Sequence, residues 1–123
     1  MPTDGRSRDD DLLLRDIESE ARGVVSMTTS RSLQETLSTP YAFEALLRKL
    51  TVIGEAARRV SLSRQRQLAH IPWRAMGDMR NFVVHAYHRV DPIIIWRTAT
   101  VEIPRLLEAI ESHQAADRWP RGR

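Results

Sequence analysis

The chain has 123 residues, about one domain's worth and enough to bury a single core. Hydrophobic residues make up 41% and charged residues 28%, which excludes the polar, highly charged composition of a disordered chain. The absence of cysteine excludes a disulfide scaffold, thiolate zinc sites, iron–sulfur clusters and cysteine nucleophiles. The 19 basic residues divide into 18 arginines and Lys49 against 16 acids, for a net charge of +3 and a pI near 10.1. Two readings of that excess stand side by side. A genome can write arginine wherever lysine would serve, or the forked guanidinium is present because it grips phosphate and carboxylate bidentately.

The start MPTDGRSRDDD is polar and acidic, unlike a secretory signal. The longest apolar stretches, such as Ile93 to Trp96, fall far short of the ~20 residues of a membrane span. The expectation is a cytoplasmic protein that does not enter membranes, folded as one domain over 1–123 with 1–9 and 114–123 as flexible ends.

Periodicity along the chain is helical. Behind the acidic run Asp9–Asp11, which suits a helix N-terminus, Leu13, Leu14, Ile17, Ala21, Val24 and Val25 predict a helix over about 10–27. Ser32-Leu33-Gln34-Glu35 has capping-box spacing for a short second helix ending before Thr39-Pro40. Pro40 then suits a first helical position, and Phe43, Leu46, Leu47, Leu50, Ile53, Gly54, Ala57 and Val60 carry a helix over about 40–60. Gly54 on its apolar face costs about 1 kcal/mol relative to Ala, which points to close approach by a neighbouring helix. A basic connector with one or two helical turns covers 61–70. Pro72 opens a helix through Trp73, Met76, Met79, Phe82, Val83 and Tyr87, broken at 88–90. Asp91-Pro92 restarts the chain as an N-cap and first residue of a helix through Ile110, which Pro104 is expected to kink or divide. The fold class is therefore all-α, an antiparallel four-helix bundle with an extra short helix.

Charge clusters along this plan. Between Arg58 and Arg89 lie seven arginines (58, 59, 64, 66, 74, 80 and 89) and one acid, Asp78, so the segment carries +6 and the remainder −3. A basic third on an otherwise slightly acidic chain suits a polyanion, and Arg58, Arg59, Arg74 and Arg89 are candidates for RNA contact. A solvated helix face is the plainer explanation. Inside the segment, Arg80 to Tyr87 reads R-N-F-V-V-H-A-Y. At ~100° per residue, Arg80 falls within the apolar arc of Met76, Met79 and Val83, as either a snorkelling side chain or a placed anion site. Asn81 and His85 share the polar arc at i,i+4 spacing, so Asn81 can fix the imidazole. Arg80 stands ~140° from His85, so the two meet only if the arginine wraps round, the helix is distorted, or a second copy packs across a dimer axis.

Metal-free RNA cleavage needs a group with a near-neutral pKa to move protons at the ribose 2′-OH or the leaving 5′-oxygen, and a cation for the charge developing on phosphorus. Histidine and arginine supply these, although a surface histidine and a structural arginine give the same string. His85-x-x-His88 lacks the remaining ligands of a metal site, and no Gly-rich phosphate loop or nucleophile elbow is present. Trp73, Trp96 and Trp119 read as core or interface residues.

Three blocks, I53-G-E-A-A-R-R-V-S61, I71-P-W-R-A-M-G-D-M-R-N-F-V-V-H-A-Y87 and V90-D-P-I-I-I-W96, together resemble the HepT family of the HEPN superfamily, all-α toxins of bacterial and archaeal toxin–antitoxin pairs. The similarity spans roughly Phe43 to Ile110, and the first helices, with their acidic triplet, match more loosely. The resemblance implies a HEPN-like fold and a homodimeric endoribonuclease that needs neither metal nor cofactor, with an R-x4-H-x-Y motif lining a cleft between protomers. Arg80 would bind and stabilise the phosphate, His85 would act as general acid or base, and Asn81 would support them. Tyr87 matches the tyrosine that receives AMP from a nucleotidyltransferase antitoxin of the MntA type and so silences the toxin. The alternative is a non-catalytic, nucleotide-binding helical partner of such a nucleotidyltransferase.

Overall fold

A computed structural model describes the backbone over 5–86 and 91–118 and the side chains over 8–81 and 91–114. Tyr87, His88, Arg89 and Trp119 lie outside the described residues, and the His85 side chain lies outside those described. The elements are α1 (Gly5–Thr28), α2 (Leu33–Ser38), α3 (Ala42–Arg59), α4 (Leu62–Gln67), α5 (Trp73–Ala86), α6 (Pro92–Arg97), a π-helical segment (Thr98–Glu102) and α7 (Ile103–Arg118). Helices α1, α3, α5 and the continuous column from α6 to α7 are the four substantial ones, with α2 and α4 as short connectors. No strand occurs among the described residues. The all-α bundle expected from periodicity is what forms.

Its core is built from the apolar positions that set the helical period. Ile17 and Val24 of α1, Leu46, Leu50 and Ile53 of α3, Ile95 of α6 and Ile110 of α7 are fully buried together. Burying such side chains contributes ~1.5–3 kcal/mol each, and this cluster fixes how the helices stand. Helix α3 runs antiparallel to α1, because Asp10 near the start of α1 bonds Ser61 beyond the end of α3, whereas Gly23 faces Lys49 earlier in α3. It also runs antiparallel to α5, with Gly54 against Arg80 and, further along α3, Arg58 against Gly77.

Several local expectations are met. The Ser32 hydroxyl accepts from the Glu35 N–H at 3.0 Å while the Glu35 carboxylate accepts from the Ser32 N–H at 2.9 Å, a complete capping box. Asp91 caps α6 through the Ile93 N–H at 3.0 Å, with Pro92 at the first position.

Three details differ. Helix α1 begins at Gly5, so the acidic triplet lies inside it rather than at its N-terminus. The triplet serves a tertiary purpose instead. Asp10, only 3% exposed, accepts from the Ser61 N–H at 2.9 Å and the Ser61 hydroxyl at 2.6 Å. Ser61 in turn caps α4 by accepting from the Arg64 N–H at 3.2 Å, and Asp11 pairs with Arg64 at 2.8 Å. Pro40 does not start α3 either. The chain reverses tightly after α2, and Tyr41 takes the N-cap with a left-handed φ of 65°, so the proline is used in the turn. Finally, of the kink or division expected at Pro104, the division does not occur. A proline has no N–H to offer the carbonyl four residues back and its ring crowds that carbonyl. The wider π turn just before it accommodates this: the Ile103 N–H bonds the Thr98 carbonyl, five residues back. The hydroxyls of Thr98 and Thr100 donate to the carbonyls of Ile94 and Trp96 at 3.0 and 2.7 Å.

Candidate functional site

The site grows out of a glycine. Built onto Gly54, a Cβ would stand 2.7 Å from the Arg80 Cβ, 2.9 Å from the Arg80 nitrogen and 2.9 Å from the Met76 carbonyl oxygen. Two of these are rigid backbone atoms, so any side chain at 54 would push α5 away from α3. The close approach that Gly54 implied is real, and the residue brought against it is Arg80.

This packing explains why a cation occupies the apolar arc. The Arg80 stem starts at the seam between α3 and α5, while its head turns outward, leaving the side chain 37% exposed. There Nε donates to Glu55 Oε1 at 3.4 Å and Nη1 to Asn81 Oδ1 at 3.4 Å. Both contacts are at the long end for hydrogen bonds, and neither is a bidentate grip. Of the five N–H groups of the guanidinium, the described residues engage only two.

Arg58 is brought to the same seam one turn further along α3. A Cβ at Gly77 would stand 3.2 Å from the Arg58 Cγ and 3.3 Å from its Nε, so the Arg58 stem lies across α5 at a position kept bare. Arg59 and Arg74 are exposed on α3 and α5, and neither is joined to Arg80 by a hydrogen bond. Asn81 is exposed and joined to Arg80. His85 falls one turn after Asn81 on a helix that stays α-helical from Trp73 to Ala86. The helical distortion that would bring Arg80 and His85 together is thus not present, which leaves a wrapping arginine or a second copy of the chain.

Glu55 was not among the candidates drawn from the sequence. The available signal was its place directly after a glycine at a helix contact, on a helix edge that also carries two arginines.

Two other features are set apart from this site. Between α5 and the α6 to α7 column lies a cleft of about 430 Å³, lined mainly by apolar residues such as Met76, Met79, Ile94 and Leu106. Its charged lining residues are Asp78 and Glu102, the wrong sign for a phosphate. Among the described residues no group of three or more His, Asp or Glu is placed to hold a metal ion, and no helix is long and apolar enough to cross a membrane.

Comparison with known proteins gives a consistent result. The family described as "Ribonuclease HepT-like" matches residues 17–113. A Methanocaldococcus jannaschii protein named "Putative RNase MJ1380" is 28% identical over 104 residues, covering 85% of this chain and 95% of its own. A second protein of that organism, "Putative RNase MJ0125", is 31% identical over 104 residues, covering 85% of this chain and 90% of its own. "Probable ribonuclease HepT" of Thermococcus cleftensis is 40% identical over 62 residues, covering 50% and 56%. No solved structure matches the chain.

Proposed function

The chain belongs to the HepT-like ribonuclease family, and on that premise we propose that it is the toxin of a toxin–antitoxin pair, an endoribonuclease that cuts RNA without a metal ion. The observation that carries this reading is Arg80, a half-exposed guanidinium whose contacts to the described residues are long and monodentate, in the helix that also bears His85.

In this reaction the ribose 2′-oxygen attacks the adjacent phosphorus as its proton passes to a base. The bond from phosphorus to the 5′-oxygen breaks as that oxygen takes a proton from an acid, leaving a 2′,3′-cyclic phosphate. His85 moves a proton, and Arg80 carries the extra negative charge on the phosphoryl oxygens. Asn81 holds the imidazole. Two proton-transfer groups are needed, and a homodimer whose cleft is lined by both copies of the motif supplies two histidines. The exposed Arg58, Arg59 and Arg74, with Arg89, bind flanking phosphates.

Regulation follows from the same charges. A nucleotidyltransferase antitoxin of the MntA type would transfer AMP to Tyr87, and the added anionic groups would neutralise the cationic cleft and block RNA. The chain acts in this reading as a single domain over 1–123 in the cytoplasm.

The test is cleavage of RNA by purified, unmodified protein in the presence of a chelator, beside Arg80→Ala and His85→Ala. The reading predicts that both variants lose cleavage, and equal rates in all three would refute it. Intact RNA throughout, with nucleotide affinity lost in the variants, would favour the non-catalytic partner instead. Light scattering at micromolar concentration should give a dimer. Co-expression with a nucleotidyltransferase antitoxin of the MntA type should raise the intact mass by whole AMP units, and Tyr87→Phe should abolish that increase.

A further inference from the structure

We infer that Glu55 is the positioning residue for Arg80: its carboxylate holds the guanidinium by Nε so that the Nη2 edge faces the RNA phosphate. The inference rests on the ribonuclease reading and adds to it a residue on a different helix from the motif.

The choice of partner is informative. Glu55 has Arg58 and Arg59 three and four residues ahead on its own helix, the spacings at which acid and base pair along a helix. Yet its ion pair among the described residues crosses to Arg80 on α5, at 3.4 Å. The crossing is possible because Glu55 follows Gly54, where the two helices are closest. One backbone contact therefore sets both the root of the Arg80 side chain and the position of the acceptor for its head.

Geometry also decides between holding and blocking. A carboxylate that occupied the anion site of Arg80 would take two donors of the fork side by side. Glu55 takes Nε alone, and Asn81 takes one donor on Nη1. Two anchors on different nitrogens restrict rotation of the planar group, and the N–H groups of Nη2 stay free of both. The pair is long and Glu55 is 54% exposed, so it adds little to stability and hardly neutralises Arg80. What it contributes is orientation of the guanidinium before substrate arrives.

The experiment compares Glu55→Ala, Glu55→Gln, Arg80→Ala and the double variant Glu55→Ala/Arg80→Ala, using an end-labelled RNA oligonucleotide of mixed sequence under single-turnover and steady-state conditions. Glu55→Ala should lower kcat about five-fold, the scale of one exposed ion pair, with KM little changed. Glu55→Gln keeps an oxygen acceptor for Nε and should retain more than half of the wild-type kcat. In the Arg80→Ala background the loss of Glu55 should have no further effect, because a residue that acts through Arg80 has nothing left to position. The inference is overturned by a wild-type rate in Glu55→Ala, by a loss in Glu55→Gln as large as in Glu55→Ala, or by losses that multiply in the double variant. Should wild-type cleavage not depend on Arg80 at all, the ribonuclease reading fails and this inference with it. Cleavage that requires Arg80 but ignores Glu55 refutes only the inference.

Discussion

Two arginines, each at a junction between helices, show what the same side chain does in different surroundings. Arg22 on α1 is gripped by carboxylates from two directions. Its Nη2 lies 2.7 Å from Glu18 and 2.6 Å from Glu111 of α7, and its Nε donates to Glu111 at 3.1 Å. The hydrogen bond to Glu111 and the charge of Glu18 raise its pKa above the usual arginine range. Arg80, at the junction of α3 and α5, has one carboxylate and one amide oxygen, each at 3.4 Å. Arg22 is tied to carboxylates of α1 and α7, while among the described residues Arg80 is held by two long contacts alone. Composition counts the two equally, and only their partners tell them apart.

The comparison can be broken most severely at the proton-transfer group that Arg80 is meant to serve. His85→Ala should lower RNA cleavage ~10²–10⁴-fold, measured as single-turnover rate, with no change in the thermal melt. Next comes the glycine that makes the junction. Gly54→Ala forces a Cβ against the Arg80 and Met76 backbone. Overpacking of this kind costs ~1–3 kcal/mol, of which about 1 kcal/mol is offset by better helix propensity. A lower denaturant midpoint accompanied by weakened cleavage is the expected result, and a stabilised variant of normal activity would show that the two helices are not in close contact.

A control for structural charges lies just beyond the end of α3, where α1 meets Ser61. Asp10→Ala leaves the Ser61 N–H and hydroxyl without their acceptor, and unsatisfied buried groups cost ~1–3 kcal/mol. Chemical denaturation should register that loss while the cleavage rate of the folded protein stays the same. The smallest effect is expected at Arg22 itself. Glu111→Gln removes a surface carboxylate from a pair whose two side chains are 59% and 43% exposed. Its melting temperature should differ from wild type only marginally, and less still in high salt, since exposed pairs contribute little and are screened.

Much of this was readable in advance where the governing interaction is local. Ser32 with Glu35, Asp91 with Pro92, and the apolar period of α3 each specify structure within one or two turns, and each formed as read. Gly54 conveyed more, since a costly residue on a buried helix face signals a neighbour, although not which one. The failures share a cause. The acidic triplet looks like a helix cap until Ser61, 51 positions away from Asp10, is brought to it. Pro104 looks like a break until the preceding turn widens into a π-helix. Glu55 is one acid beside two arginines on its own helix, and its pairing with Arg80 depends on the α3 to α5 packing. Which partner tertiary packing brings to a residue is not written in its local pattern.

The account stands or falls on Arg80 and Arg22 side by side. Single-turnover cleavage of the same RNA by wild type, Arg80→Ala and Arg22→Ala, with chelator present, measures directly whether the loosely held guanidinium is the one that acts on phosphate. Loss of a transition-state donor costs ~10²–10³-fold, so Arg80→Ala should fall by that factor while Arg22→Ala cuts at the wild-type rate. Equal rates for the two variants, whether both high or both low, would contradict it.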